Sequence, residues 1–474
     1  MNYKLNICLT LLSMLPIGSM GQTPLTLDEV IRLSQDSAIT AFQSRQEYRS
    51  RQASYEAFEA LRKPQLTLKV VPNYSRIVSD PSRDYVYLRN FDILSTSAQV
   101  RLSQKVLSFG GEAFIGTQAI WSEFFREEAS GHPRQFVASP LLVGYSHTLL
   151  GYNPFRWEKQ VEDQQLKAAR QQHEYTLRCL AEEAAVRYFR LARQQRLVQV
   201  RQEELRMNDT LLAIAREKAT IAIVTLAELH AIEVQRQNAA NQLEAARQNE
   251  LKARTELASL LRMDLPSADL PLLTIPDLPP PVNYTPQEAA MLAKSNNPAY
   301  QQRLVELTEA RHQEEKSRKE RGVNVGLDIN LGLQQVNTHL GSAYTNQQLY
   351  ALGAVQVTIP LMDHGAAKKR HEAALSWVER QESALREVER LLAEDAAVTL
   401  QRLQSCRMIL DSTQQTVNLA EEVFNEAADN YANGICDINT YTLAQNRWAT
   451  AYDNYLTALE EFWTTHYHLQ TLIR

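Results

Sequence analysis

Few side chains in this sequence stand where they could do chemistry together. His466 and His468 fall two apart inside a helical pattern, and that spacing points them in different directions. Asp363 and His364 sit side by side in a turn, where a polar pair ordinarily meets water. Cys179, Cys406 and Cys436 are far apart, show no C-x-x-C spacing, and read as buried or tolerated thiols. There is no G-x-S-x-G elbow, no phosphate-cradling glycine loop and no H-E-x-x-H helix. Carboxylates are plentiful but lie spread along helix faces, where water solvates them. No catalytic, cofactor-binding or metal-ligating residue is assigned, and an enzyme is disfavoured.

The elements around these residues say more. The chain has 474 residues, with 50 basic and 55 acidic side chains and a formal net charge of -5. That mild balance lacks the basic face a nucleic-acid partner requires. Met1 to Lys4 is positively charged, Ile7 to Ile17 is apolar, and Ser19-Met20-Gly21 is small. Residues 1–21 are therefore expected to be a secretory signal peptide, cleaved after Gly21. Cys8 lies inside the apolar run, so it is not placed as a lipoprotein cysteine. No other segment reaches the ~18 consecutive apolar residues of a spanning helix. Any passage through a membrane must then use a closed barrel, since only helices and barrels pair every backbone group in lipid.

The chain divides into two similar stretches, 22–262 and 284–474, joined by a proline-rich linker at 263–283. Thr26 with Glu29, and Thr285 with Glu288, are matching capping boxes that open a helix. Each stretch is then predicted to run helix, strands, long helix, short break, long helix. The helices are expected at about 26–62, 153–218 and 226–262, then at about 286–321, 365–431 and 438–473. In the third, Ile232, Ala239, Ala246, Ala253 and Leu260 recur every seven residues, with Leu229, Leu243 and Leu257 in a second row. This is a coiled-coil seam whose alanines allow close approach of helix axes.

The strand segments alternate. Val323, Val325, Leu327, Ile329, Leu331 and Leu333 are apolar, while Asn324, Gly326, Asp328, Asn330 and Gly332 lie between them. Val355, Val357, Ile359 and Leu361 alternate in the return segment, as do Leu66, Leu68 and Val70, Val100 and Leu102, and Leu141, Val143 and Tyr145. A weaker strand spans about 113–125, after Gly110-Gly111. One greasy and one wet face over about ten residues is the pattern of a barrel strand with lipid outside and a pore inside. The hairpins of one chain are too few to close a barrel, so several copies must contribute.

These residues resemble the TolC-type outer membrane factor family, the outer membrane efflux proteins, over nearly the whole mature chain. Glu288-Ala289-Ala290 leading to Asn296-Asn297-Pro298-Ala299 looks like the family's repeat start. Ile359 to Gly365 looks like its strand-to-helix turn, and Leu149 to Pro154 like a variant of it. Tyr431 to Thr440 resembles the break between the two long helices, with 219–225 as its counterpart. Gly434 can reverse the chain there, and Asp437 or Asn439 can cap the next helix.

The resemblance implies a mainly α fold with membrane β: long coiled-coil helices in an α-barrel, and β-hairpins that close a trimeric outer-membrane β-barrel. It implies a homotrimer in the outer membrane of a Gram-negative bacterium, in contact with outer-membrane lipid. Its partners would be a periplasmic adaptor and an inner-membrane RND or ABC transporter, in a tripartite efflux pump or a type I secretion system. Ala219, Ile223, Thr225, Gly434, Asp437, Ile438 and Thr440 would form the periplasmic tips where the adaptor docks. Ala219 stands where the first repeat usually has glycine. Thr440 and Leu443 stand where some members carry acidic rings. Glu228 and Asp437 are the nearby acids, read either as a pore constriction or as a surface glutamate and a helix cap. The first half is longer than the family's pattern, which predicts an extra hairpin, either in the barrel wall or as an insert at the membrane surface. The rival reading is a periplasmic coiled-coil adaptor or scaffold, which would not need detergent.

Overall fold

The computed structural model describes residues 25–77, 91–106, 110–125, 134–220, 224–263, 272–433 and 435–474. The expected signal peptide, Ile223, Gly434 and part of the linker lie outside the described residues. In chain order the elements are α1 (Leu27–Ser37), α2 (Ile39–Leu61), β1 (Gln65–Ile77), β2 (Phe91–Val106), β3 (Gly111–Phe124), β4 (Arg134–Leu150), α3 (Pro154–Thr220) and α4 (Leu226–Leu261). Then follow α5 (Pro286–Asn296), α6 (Pro298–Glu320), β5 (Asn324–Asn337), α7 (Leu340–Ala343), β6 (Gln348–Thr358), α8 (Ala366–Ala432) and α9 (Ile438–Ile473). They build two compact units. One comprises Met1–Phe42, Thr176–Ala289 and Ala396–Arg474; the other comprises Gln43–Tyr175 and Ala290–Asp395.

Two expected helices are each divided. The run from about 26 to 62 breaks at Ala38, whose backbone is extended, and the run from about 286 to 321 breaks at Asn297, which is extended too. At Asn297 the cause is local. Pro298 excludes the helical region for the residue before it. The Asn297 carboxamide then accepts from the Ala299 N–H at 2.9 Å and caps α6, with the proline at its first turn. Nothing in the side chains around Ala38 explains its break.

In the first unit the helices pack through small and aromatic residues. Ile232, Leu243 and Leu257 of α4 are buried with Ala239, Ala246 and Ala253 between them, as the sevenfold pattern predicts. Tyr188 is fully buried and donates to the carbonyls of Thr274 and Leu25 at 2.7 and 3.2 Å, which ties the described end of the linker to α3. Phe189 stacks on Trp463 at 4.9 Å, and His466 lies against Phe462. Burial lowers the pKa of His466, and Arg474 adds to it. His468 instead meets Glu182 at 2.9 Å, so the two histidines do not converge. No disulfide joins Cys179, Cys406 and Cys436.

In the second unit all six strands form one antiparallel sheet in chain order, β1 to β6. The register puts Leu66, Leu102, Ile115, Val143, Leu331 and Ala351 in one row across it. Leu68, Val70, Val100, Leu141, Leu327, Ile329, Val355 and Val357 share that face. The opposite face carries Thr67, Lys69, Gln99, Arg101, Gln118, Asp328, Asn330 and Gln356. Inner strands tolerate proline only at an irregularity. Pro140 in β4 obeys this, for the ladder to β5 shifts register between Ala138 and Leu141 and the ladder to β3 between Ser139 and Leu142.

The segment after Gly110 is strand. β2 and β3 pair with one another and with β1 and β4, so the extra hairpin is part of the sheet. Gly110 turns the chain with φ of 81°. On the polar face Arg101 lies over the Phe114 ring at 3.7 Å and reaches Glu112 at 3.2 Å. Gly144 makes room for that ring: a Cβ there would lie 2.2 Å from it.

Gly332 is packed more rigidly, since a Cβ there would fall 2.5 Å from the Leu141 carbonyl oxygen, whereas one at Gly353 would meet nothing within 4 Å. Gly332→Ala is expected to cost about 1–3 kcal/mol as overpacking. Gly353→Ala is expected to be close to neutral. Denaturant unfolding of the two variants in detergent checks the contrast, and equal midpoints would contradict it.

Candidate functional site at the helix tips

Of the residues singled out at the two helix breaks, Thr225, Asp437, Ile438 and Thr440 are described at the ends of α4 and α9 in the first unit. Ala219 is in the last turn of α3. Thr225 caps α4, where its hydroxyl accepts from the Glu228 N–H at 3.2 Å. The Glu228 carboxylate accepts in return from the Thr225 N–H at 2.8 Å and from its hydroxyl at 2.9 Å. Asp437, not Asn439, caps α9: it accepts from the Thr440 N–H at 3.0 Å and the Thr440 hydroxyl at 2.6 Å. Both breaks thus use a short polar side chain to satisfy amides that no helical carbonyl reaches.

Glu228 and Asp437 are both exposed and close enough for their charges to repel. Hydrogen bonds from the Thr225 backbone and then its side chain nevertheless hold the Glu228 carboxyl below its usual range. Bonds from the Thr440 hydroxyl and then its backbone N–H do the same for Asp437. At Glu228 capping outweighs the repulsion from Asp437.

Behind the caps lies an aromatic clamp. Leu211, Leu212 and Ala215 of α3, Ile232 of α4, Phe424, Ala427 and Tyr431 of α8, and Tyr441 and Ala444 of α9 form one buried cluster. Ile438, the first residue of α9, packs against it with Cys436. Tyr441 lies 5.6 Å from Tyr431 and 5.7 Å from Phe424, whose ring stacks on Trp448. Lys218 stands over the Tyr431 ring at 4.9 Å and donates to the Tyr431 carbonyl at 3.4 Å. Gln235 of α4 donates to Gln445 and accepts from Thr442, each at 3.1 Å. The two breaks are therefore locked together by four helices. Sequence reading offered Asp437 as a cap and placed Tyr431 at the break, but missed the cap at Thr225 and the parts played by Lys218, Gln235, Tyr441 and Gln445. The aromatic series Tyr441, Trp448, Tyr452 and Tyr455 along one helix was the available signal.

Among the described residues no helix is long and apolar enough to cross a membrane, and no group of three metal-ligating side chains converges. A six-stranded sheet with one apolar face, attached to helices of 67 and 36 residues, defines the fold: long helices joined to an antiparallel sheet with the two faces of a membrane barrel wall. Residues 289–473 match the family model described as outer membrane efflux protein, the family that the motifs of the chain resemble. Outer membrane efflux proteins are transport proteins and not enzymes.

Solved structures extend the likeness in fold to nearly the whole chain. The outer membrane protein VceC of Vibrio cholerae matches with a TM-score of 0.66 and 12% identity, over 94% of this chain and 95% of that one. The CmeC outer membrane channel of Campylobacter jejuni matches at 0.64 and 13%, over 99% and 94%. The MtrE outer membrane channel of Neisseria gonorrhoeae matches at 0.63 and 15%, over 94% and 88%. A comparison with curated proteins finds no match.

The caps make the tips acid-sensitive. A lowered folded-state pKa adds stability that is present above the ordinary carboxylate range and lost as pH falls through the lowered value. Amide exchange at the first turns of α4 and α9, relative to intrinsic rates, is expected to rise below about pH 4. Glu228→Gln should remove the response at α4 and leave that at α9. An unchanged α4 response in this variant would show that another group carries it.

Proposed function

We propose that this protein is the outer membrane channel of a tripartite efflux pump or type I secretion system. It conducts substrate passively from an adaptor and transporter across the periplasm and outer membrane, with no catalytic step. The observation that carries this reading is the sheet. Its apolar face is left open on every strand although the opposite face is polar, and a soluble protein would bury the first and expose the second. In lipid the open face is satisfied and the polar face lines water.

The reading includes a homotrimer, a cleaved signal at residues 1–21, and two repeats at 22–262 and 284–474 joined at 263–283. Matched helix lengths support the repeats: α1 and α5 have 11 residues each, α2 and α6 have 23, α3 and α8 have 67, and α4 and α9 have 36. The breaks at Ala219 to Thr225 and at Gly434 to Thr440 are where an adaptor docks. Their exposed caps, with Ile438 anchored beneath, offer it a polar rim on a rigid base. Glu228 and Asp437 are placed at the constriction, where paired carboxylates would favour cations.

Conductance tests the channel, and selectivity tests the constriction. The mature chain in a planar lipid bilayer is expected to conduct ions and to prefer cations. The double variant Glu228→Gln, Asp437→Asn should lose most of that preference while still conducting. Absence of any conductance would count against the channel. A preference unchanged in the double variant would remove these two residues from the constriction.

A further inference from the structure

The sheet ends in two open edges. The outer side of β6 presents 11 residues, QLYALGAVQVT, with no charge and no proline. Soluble sheets guard their edges with charges, prolines or bulges, because an unguarded edge pairs with whatever strand it meets. β6 has no such guard. β1, at the other edge, has 13 residues and carries Lys69, Pro72 and Arg76, so the unguarded edge is that of β6. The most exposed apolar side chains of the sheet lie at its edges: Leu66 is 70% exposed and Leu349 80%, against 38% for Val100 and 37% for Ile329 inside the sheet.

The two edges fit one another between copies. Six strands alternating in direction make β1 and β6 run opposite ways, so β6 of one copy meets β1 of the next as an antiparallel pair. The faces also agree, with Val355 and Val357 joining Leu66 and Leu68 on the apolar side.

The hairpin of β2 and β3 is built as wall. Leu94, Val100, Leu102, Ile115 and Trp121 share the apolar face, while Ser95, Ser97, Gln99, Arg101 and Gln118 share the other with Ile93, Phe114, Ile120 and Phe124. A hairpin lying flat on a membrane surface has no need of that alternation. Its size accounts for the mismatch between the halves of the chain. The offset from Gln65 to Asn324 is 259 residues, and from Pro154 to Ala366 it is 212, so the first half holds 47 more residues among its strands. The hairpin and its turns fill that difference.

We propose that the sheets of three copies close edge to edge, β6 of each on β1 of the next, into a barrel of eighteen strands. Each copy contributes one hairpin more than the two that a single hairpin per half would supply, and the added hairpin widens the pore. The number of copies rests on the homotrimer in the reading above. With strands ~4.8 Å apart and tilted ~40°, eighteen strands give a backbone diameter of roughly 36 Å, against roughly 24 Å for twelve. At that tilt the 11 residues of β6 span roughly 29 Å, enough for the ~25 Å apolar band of an outer-membrane barrel.

Electron microscopy of the mature chain in lipid nanodiscs counts the strands directly. A threefold particle with eighteen strands in cross-section is the expected result. A threefold particle with twelve, β1 paired directly to β4 and the β2–β3 hairpin outside the wall, overturns the proposal but leaves the trimeric channel standing. A particle without threefold symmetry overturns the trimer, and the count of eighteen with it.

Discussion

Peptide groups cannot be left unpaired in hydrocarbon, and the organisation of the second unit follows from that constraint. No described helix is long and apolar enough to cross a bilayer, and in the proposed reading the sheet does so. A sheet in lipid must invert the soluble arrangement, apolar outward and polar inward, on every strand at once. Six strands hold that inversion in one register here. The irregularity at Pro140 and the bare backbone at Gly332 and Gly144 are local concessions that keep the ladder continuous.

The long helices solve a different problem. A helix of 67 residues is roughly 100 Å long, far beyond what one globular core can cover. Its stability has to come from neighbours met repeatedly along its length. The alanine-rich seam of α4 does this by close approach and not by bulk. Where the chain reverses, the aromatic cluster around Tyr431 and Tyr441 replaces the seam with one tightly packed patch. Helix ends held by both caps and a core can present polar groups without fraying.

Much of this was legible because period is legible. Residues 323 to 333 announce a two-faced strand by alternation alone, and α9 was bounded at 438 and 473 from its pattern. The cap at Asp437 was readable because capping is local, and the one at Thr225 was open to the same rule. The aromatic clamp was not, since Lys218 and Tyr431 are 213 positions apart and no local rule brings them together. Asn297 was within reach, as the proline after it says that a helix should stop. At Ala38 no residue type gives any such sign.

In the proposed barrel, the open edges of β1 and β6 have a consequence for biogenesis. A single sheet cannot rest in lipid with two rows of unpaired amides, so a chain cannot enter the membrane first and find its partners later. Insertion and assembly become one event. A defect in the edge of one chain then disables the sound copies joined to it. Inherited alongside a normal gene, such an allele would be dominant.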